Sequence, residues 1–486
     1  MRQLHYYHQL SFILIVHRSL SIPSLSLSIP SSSLSLSSSL SSSYQYHHHH
    51  HYQALIKLES YGLAIEDANE ALKLDPNYIK AYYRRGSASY AIGKLKEALK
   101  DFKTVVKIVP NDKDALKKMK ACEKAVRDEA FKKAIYTENR EDKLTIDVDS
   151  IVVENYTGPR LEGGVSSLTV NFVQELISHF KDQKLLHRKY VVQILLAAID
   201  YFKSQPSLLR LKLPASENSS SAYGHFTVCG DTHGQFYDLC NIFEIGGFPS
   251  PTNPFLFNGD YVDRGSFSFE VVMTLIALKL ACPTGLYLLR GNHETKNMNS
   301  IYGFQGEILH KYDETVMKLF TEVFNNLPLA AVIQDSVFVV HGGLSTTQEN
   351  GMTLEQIEAI PRDREPPESG LMSDLLWSDP HAFMGKMPSK RGVGFSFGPD
   401  YTEQFLNRNN LQLLVRSHEV KDDGYAVEHG GKCITIFSAP NYCDQMGNKG
   451  AFIRFFEDMK PNYTQFDAVP HPNIPPMKYA SNMFGL

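Results

Sequence analysis

The stretches HFTVCGDTHG (225–234) and FLFNGDYVDRG (255–265) decide how this chain is read. Each opens with a short run of β-branched or aromatic residues and closes in a loop of Gly, Asp, His or Arg. That is the pattern of a buried strand stopped by a polar turn. Four more stretches repeat it: LYLLRGNHE (286–294), VFVVHGG (337–343), LQLLVRSHE (411–419) and CITIFSAPNYC (433–443). If these strands share a sheet, their carboxyl ends bring the loops to one rim, where open α/β sheets build their sites. Asp231, His233, Asp260, Asn292, His341 and His418 then gather there, which is a two-metal hydrolase site in outline.

Working outward, helical patterns over 235–245 and 267–280 separate the first three runs and give two successive βαβ units. Beyond 337 strands outnumber helices. The expected fold class is mixed α/β and α+β, a β-sandwich flanked by helices. An amphipathic helix (LTVNFVQELISHF) opens this region near 168, the region ends near 470, and 471–486 is a tail. Residues 137–167 are polar and read as a linker.

Ahead of the linker, 52–136 is helical and repetitive. Ala64 and Ala98, Asp67 and Asp101, Leu74 and Ile108, Pro76 and Pro110, and Asn77 and Asn111 all stand 34 residues apart, the tetratricopeptide period. The region holds one complete unit (78–111), part of one before it and a capping helix after it (112–135). Arrays of this kind need about three units, so the first repeat is expected to be missing. Residues 1–51 contain a Ser-Leu repeat and a histidine run, His47–His51, with no acidic residue, and are read as low-complexity and disordered.

The chain has 486 residues, 43% of them hydrophobic, and a net charge of −4, which argues against nucleic acid as the main ligand. Its six cysteines form no CxxC motif, and two of them, Cys229 and Cys433, sit in the apolar runs, as expected of a reduced, intracellular protein. No apolar run reaches transmembrane length. Cytoplasm and nucleus are the expected locations.

Any one of these loops is weak evidence, since Gly-Asp after a strand is usually a turn. Several ligand-bearing loops in register with their strands point to a shared metal centre. Asp and His with few Cys suit Mn, Fe or Zn. Asp260, in the middle loop, is the best candidate to bridge two ions, which at about 3.5–4 Å apart can share a hydroxide. Arg264 and Arg391 would hold phosphate oxygens in a bidentate way. His293 is placed to protonate a leaving alkoxide, with Asp263 holding its imidazole cationic.

Together, GDTHG, GDYVDRG, RGNHE, HGG and SAPNYC resemble the phosphoprotein phosphatase family of serine/threonine phosphatases over essentially all of 168–470. The repeats in front match one member of that family. The resemblance implies a metallophosphoesterase-type sandwich and two divalent metal ions. It gives the first metal to Asp231, His233 and Asp260, and the second to Asp260, Asn292, His341 and His418. It makes His293 the general acid with Asp263 behind it, and makes Arg264, Asn292, Arg391 and Tyr442 phosphate contacts. It also implies phosphoprotein substrates and a repeat segment that covers the active site and holds the C-terminal carboxylates of heat-shock protein 90. Lys80 and Arg84 match two residues of that carboxylate clamp, and Glu59 matches an acidic residue facing the catalytic rim. A phosphodiesterase on the same scaffold and a co-chaperone adaptor are the competing readings.

Overall fold

The computed structural model describes residues 60–135, 146–215, 224–347 and 351–480. The expectations for 1–51 and for Glu59 lie outside the described residues.

Each of the six apolar runs forms a strand. In chain order the strands are β1 (Leu208–Leu211), β2 (Phe226–Cys229), β3 (Phe255–Phe257), β4 (Leu286–Leu288), β5 (Ala330–Ile333), β6 (Val337–Val340), β7 (Asp379–Pro380), β8 (Lys386–Pro388), β9 (Phe395–Phe397), β10 (Leu413–Arg416), β11 (Tyr425–Glu428), β12 (Cys433–Ile436), β13 (Gly450–Phe455) and β14 (Pro461–Phe466). They do not share one sheet, and this corrects the single-sheet premise. One sheet has the order β14-β13-β2-β3-β4 and the other β1-β5-β6-β10-β12-β11, while β7, β9 and β8 form a small third sheet.

The sandwich follows from alternation along each strand. Val228, Leu256, Val337, Val339, Val415, Ile434 and Ile436 point into the core between the two large sheets. Their neighbours Cys229, Phe255 and Phe257 face a helical layer on one outer side, and Phe338, Val340, Leu414 and Cys433 face the other. Runs that are apolar on both faces do not reveal which sheet they join.

The helices are α1 (Tyr61–Leu74), α2 (Ile79–Ala91), α3 (Leu95–Ile108), α4 (Lys113–Ile135), α5 (Val170–Lys181), α6 (Arg188–Lys203), α7 (Phe236–Gly246), α8 (Ser268–Ala281) and α9 (Lys296–Tyr302), with others beyond. The order β2-α7-β3-α8-β4, with its three strands parallel, realises the two βαβ units. Thr169 caps α5, its side chain accepting from the Phe172 amide.

In the repeat segment α1–α4, Ala64 and Ala98 are fully buried, so the helices pack closely. Asp101 takes the Arg85 guanidinium through both oxygens, at 2.7 and 2.8 Å. The segment rests on the catalytic region. Leu63 N–H donates to the Lys390 carbonyl at 3.2 Å. A Cβ on Gly62 would lie 2.6 Å from the Gly392 amide nitrogen, so the two backbones touch as only glycine permits. Gly93, after α2, faces Asn297 of α9.

Two flanking stretches also pack. Ile146, Val148, Ile151 and Tyr156, in the stretch read as linker, lie against the helical layer around α5 and α6. At the other end, the Met477 amide bonds to the Arg264 carbonyl at 2.8 Å.

Candidate metal centre and phosphate site

Where β2 and β12 end, the two large sheets touch. Asp231 and Phe437 form a parallel bridge, and Gly230 N–H donates to Ser438 Oγ at 2.8 Å. A side chain at 230 would meet the Ile436 carbonyl at 2.1 Å, so glycine is required at this seam. The loops after β2, β3, β4, β6 and β10 therefore meet at one rim, although their strands belong to two sheets.

The predicted donors converge there and are all buried. His233 Nε2 stands 3.7 Å from Asp231 Oδ2 and 3.6 Å from Asp260 Oδ2. His341 Nε2 stands 3.3 Å from Asp260 Oδ2, 2.8 Å from Asn292 Oδ1 and 3.3 Å from His418 Nδ1. Among the described residues, two groups of His and Asp have donor atoms within 4.8 Å of one another: His233, Asp260 and His293, and Asp260, His341 and His418. Asp260 belongs to both, as a bridging carboxylate would.

The tautomers suit a cation. His233 Nδ1 lies 3.0 Å from the Val262 carbonyl and His341 Nδ1 lies 2.8 Å from the Asn258 carbonyl. A carbonyl only accepts, so each Nδ1 carries a proton and each Nε2 is the atom turned toward the carboxylates. This is how metal-binding imidazoles are oriented. Charge balance agrees. Burial, and then Asp260 beside it, pushes the Asp231 carboxyl up to about 7. His341 holds a proton above its ordinary range because Asp260 and Asp231 outweigh its burial. A cluster that draws positive charge, with two oriented imidazoles, fits two divalent ions.

The backbone is contorted around these groups. His233, Asp260, Asp263, Arg264 and His418 all take positive φ, between 40° and 70°. Such strain concentrates at functional sites and persists only where surrounding bonds over-determine it.

His293 is fully buried, and its Nδ1 meets Asp263 Oδ2 at 2.8 Å. Asp263 is fixed in turn by the Asn299 side chain at 3.1 Å and the Phe304 amide at 2.9 Å. The His293 ring lies 4.7 Å from that of His233 and 5.3 Å from that of Tyr302, centroid to centroid. Arg264 stacks on the other part of this group, its guanidinium 3.8 Å from the Tyr302 centroid. Tyr442 lies 5.1 Å from the His233 ring. Arg391 donates to the His418 carbonyl at 2.7 Å, and its Nε–Nη2 edge meets Asp379 at 2.8 and 3.4 Å. That edge faces a carboxylate, so Asp379 sets the angle at which Arg391 meets the rim.

Lys80 and Arg84 are not in this group. Both are on α2, Lys80 exposed and Arg84 buried.

Sequence reasoning missed three supports. Glu294 accepts from the Asp260 and Gly291 amides at Oε2 (both 2.8 Å) and from the Tyr261 amide at Oε1 (2.9 Å), fixing the middle loop. Asn258 links β3 to the other sheet, donating to the Val340 carbonyl at 2.8 Å and to Ser417 Oγ at 2.9 Å. The third is Asp379. Glu294 was within the quoted RGNHE, and its lack of a role as a ligand was the available signal.

The family model described as calcineurin-like phosphoesterase matches residues 224–422, and that of the PPP5 TPR repeat region matches 119–210. The chain is 51% identical to serine/threonine-protein phosphatase 5 of Homo sapiens over 437 residues, covering 89% of this chain and 85% of that one. It is 50% identical to serine/threonine-protein phosphatase T of Trypanosoma brucei brucei over 436 residues, covering 89% and 90%. Among solved structures, a serine/threonine phosphatase from Saccharomyces cerevisiae, described as similar to a human phosphatase, superposes with a TM-score of 0.59 at 42% identity. It covers 63% of this chain and 99% of that one.

Proposed function

This chain belongs to the serine/threonine-protein phosphatase 5 family, and from that premise we propose how its residues hydrolyse phosphoserine and phosphothreonine in proteins. The observation that carries the reading is Asp260, whose carboxylate stands within 3.3–3.6 Å of imidazoles from both donor groups. Asp231, His233 and Asp260 would hold one divalent ion, and Asp260, Asn292, His341 and His418 the other, with Mn, Fe or Zn as candidates. When bound, the ions supply the nucleophilic water and charge stabilisation at phosphorus.

The chain's own residues do the rest. Arg264, Arg391, Asn292 and Tyr442 take the phosphate oxygens. Arg264 is held over the Tyr302 ring and Arg391 is aimed by Asp379. The Asp263 carboxylate accepts from His293 Nδ1, favours the imidazolium, and leaves the proton on Nε2 for the departing serine or threonine oxygen. Burial keeps bulk water from competing for that proton.

The tetratricopeptide region regulates the enzyme. We propose that it does so by covering the rim, which the Leu63–Lys390 contact supports. Glu59 stands four positions before Leu63 in the chain and is proposed to answer a rim arginine. For the repeat segment we propose an acidic C-terminal carboxylate, such as that of heat-shock protein 90, as partner. Lys80 is exposed to receive it. Cytoplasm and nucleus are the proposed locations.

The test compares a phosphoserine peptide with a bis-phosphodiester. Fast release from the monoester and little from the diester is expected. Equal rates on the two would replace this reading with a phosphodiesterase.

A further inference from the structure

Beside the rim, the β7–β8 connection and β8 itself present apolar side chains to solvent. Phe383 is 72% exposed, Met384 74% and Met387 44%, all within five residues. Single exposed apolar residues are ordinary, but a cluster beside a functional site calls for an occupant. This connection is held in place. Gly385 N–H donates to Asp400 Oδ1 at 2.9 Å, and Gly398 N–H donates to the Gly385 carbonyl at 2.8 Å. Its strand β8 is an edge of the small sheet β7-β9-β8, and all three of its residues are exposed.

From β8 the chain runs through Ser389 and Lys390 into Arg391, so the apolar cluster and a phosphate arginine lie on one continuous track. Main chain already docks on it, since the repeat segment's Leu63 N–H bonds to the Lys390 carbonyl. The track thus offers a main-chain acceptor, two residues beyond β8, which here takes an amide from the first turn of α1.

We infer that a phosphoprotein substrate lies extended along 383–390, with a bulky apolar side chain on Phe383, Met384 and Met387. This rests on the phosphatase reading above and deepens it. Met387 stands four positions before Arg391, at most about 14 Å of extended chain. The preferred apolar residue therefore stands about four positions from the phosphorylated one. The repeat segment and the substrate would then compete for the Lys390 carbonyl.

The test uses the full chain and phosphoserine peptides with Leu or Ser placed three to five positions to either side of the phosphate. Its control is a small aryl phosphate, which cannot reach the cluster. Expected is a kcat/KM about tenfold higher for one Leu position, mostly through KM, the size of effect one aliphatic contact gives. The triple variant Phe383→Ser, Met384→Ser, Met387→Ser should lose that preference and keep the rate on the aryl phosphate. A parent without preference, or a variant that retains it, overturns the inference. Concentration-dependent dimerisation of the parent that the variant abolishes also overturns it, because the cluster would then be a self-association surface. Failure of the parent on the aryl phosphate would instead sink the phosphatase reading itself.

Discussion

At Asp260 the backbone stands at φ +51° and the carboxylate faces imidazoles from both donor groups, so little there tolerates change. Asp260→Asn should lower metal content and nearly abolish turnover, because the amide removes the charge both ions share. His293→Ala should leave metal content intact and slow turnover by roughly 10²–10⁴, the usual worth of a positioned acid. Metal analysis beside kinetics separates the two, and this matters because His293 lies within reach of His233 and Asp260. If the His293 variant lost metal as well, the residue would be a ligand. Glu294→Gln tests the support: one of its oxygens becomes an NH2 facing backbone N–H donors. A buried donor without an acceptor costs about 1–3 kcal/mol, to be read as a lower melting temperature and weaker metal retention. The donors were legible because each directly follows an apolar run. Glu294, Asn258 and Asp379 were not, because their partners come from chain folding rather than local pattern. Asp379 and Arg391, for example, meet across twelve residues.

Among the elements, the strands were legible from alternation and turn residues, but their division into two sheets was not. Each run is apolar on both faces, and only the contact of opposing cores decides its neighbours. The repeat helices were legible from their period. Their seat on the catalytic region was not, since it depends on two glycines. Gly62→Ala tests that seat cleanly. Alanine favours the helix that contains residue 62, yet its Cβ would stand 2.6 Å from the Gly392 backbone. The helix should persist while the docking fails, so activity of the full chain on a phosphopeptide should rise several-fold. Unchanged activity, with circular dichroism showing the helices intact, would mean that the seat does not restrain the enzyme.

For the whole molecule, a sandwich fixes ligands from two sheets at one seam, and a helical repeat segment lies against the rim beside them. The sequence predicted both parts but not the track along 383–391, because exposure of Phe383 and Met384 depends on what folds beside them. Turnover by this chain depends on the two-ion centre. Its most direct test is titration of chelator-stripped full-length protein with Mn, following both bound metal and phosphate released from a phosphoserine peptide. Activity that returns only as two equivalents bind, with Asp260→Asn failing to recover at any metal level, is the predicted result. Full turnover by the stripped protein, or saturation of activity at one equivalent, would contradict it.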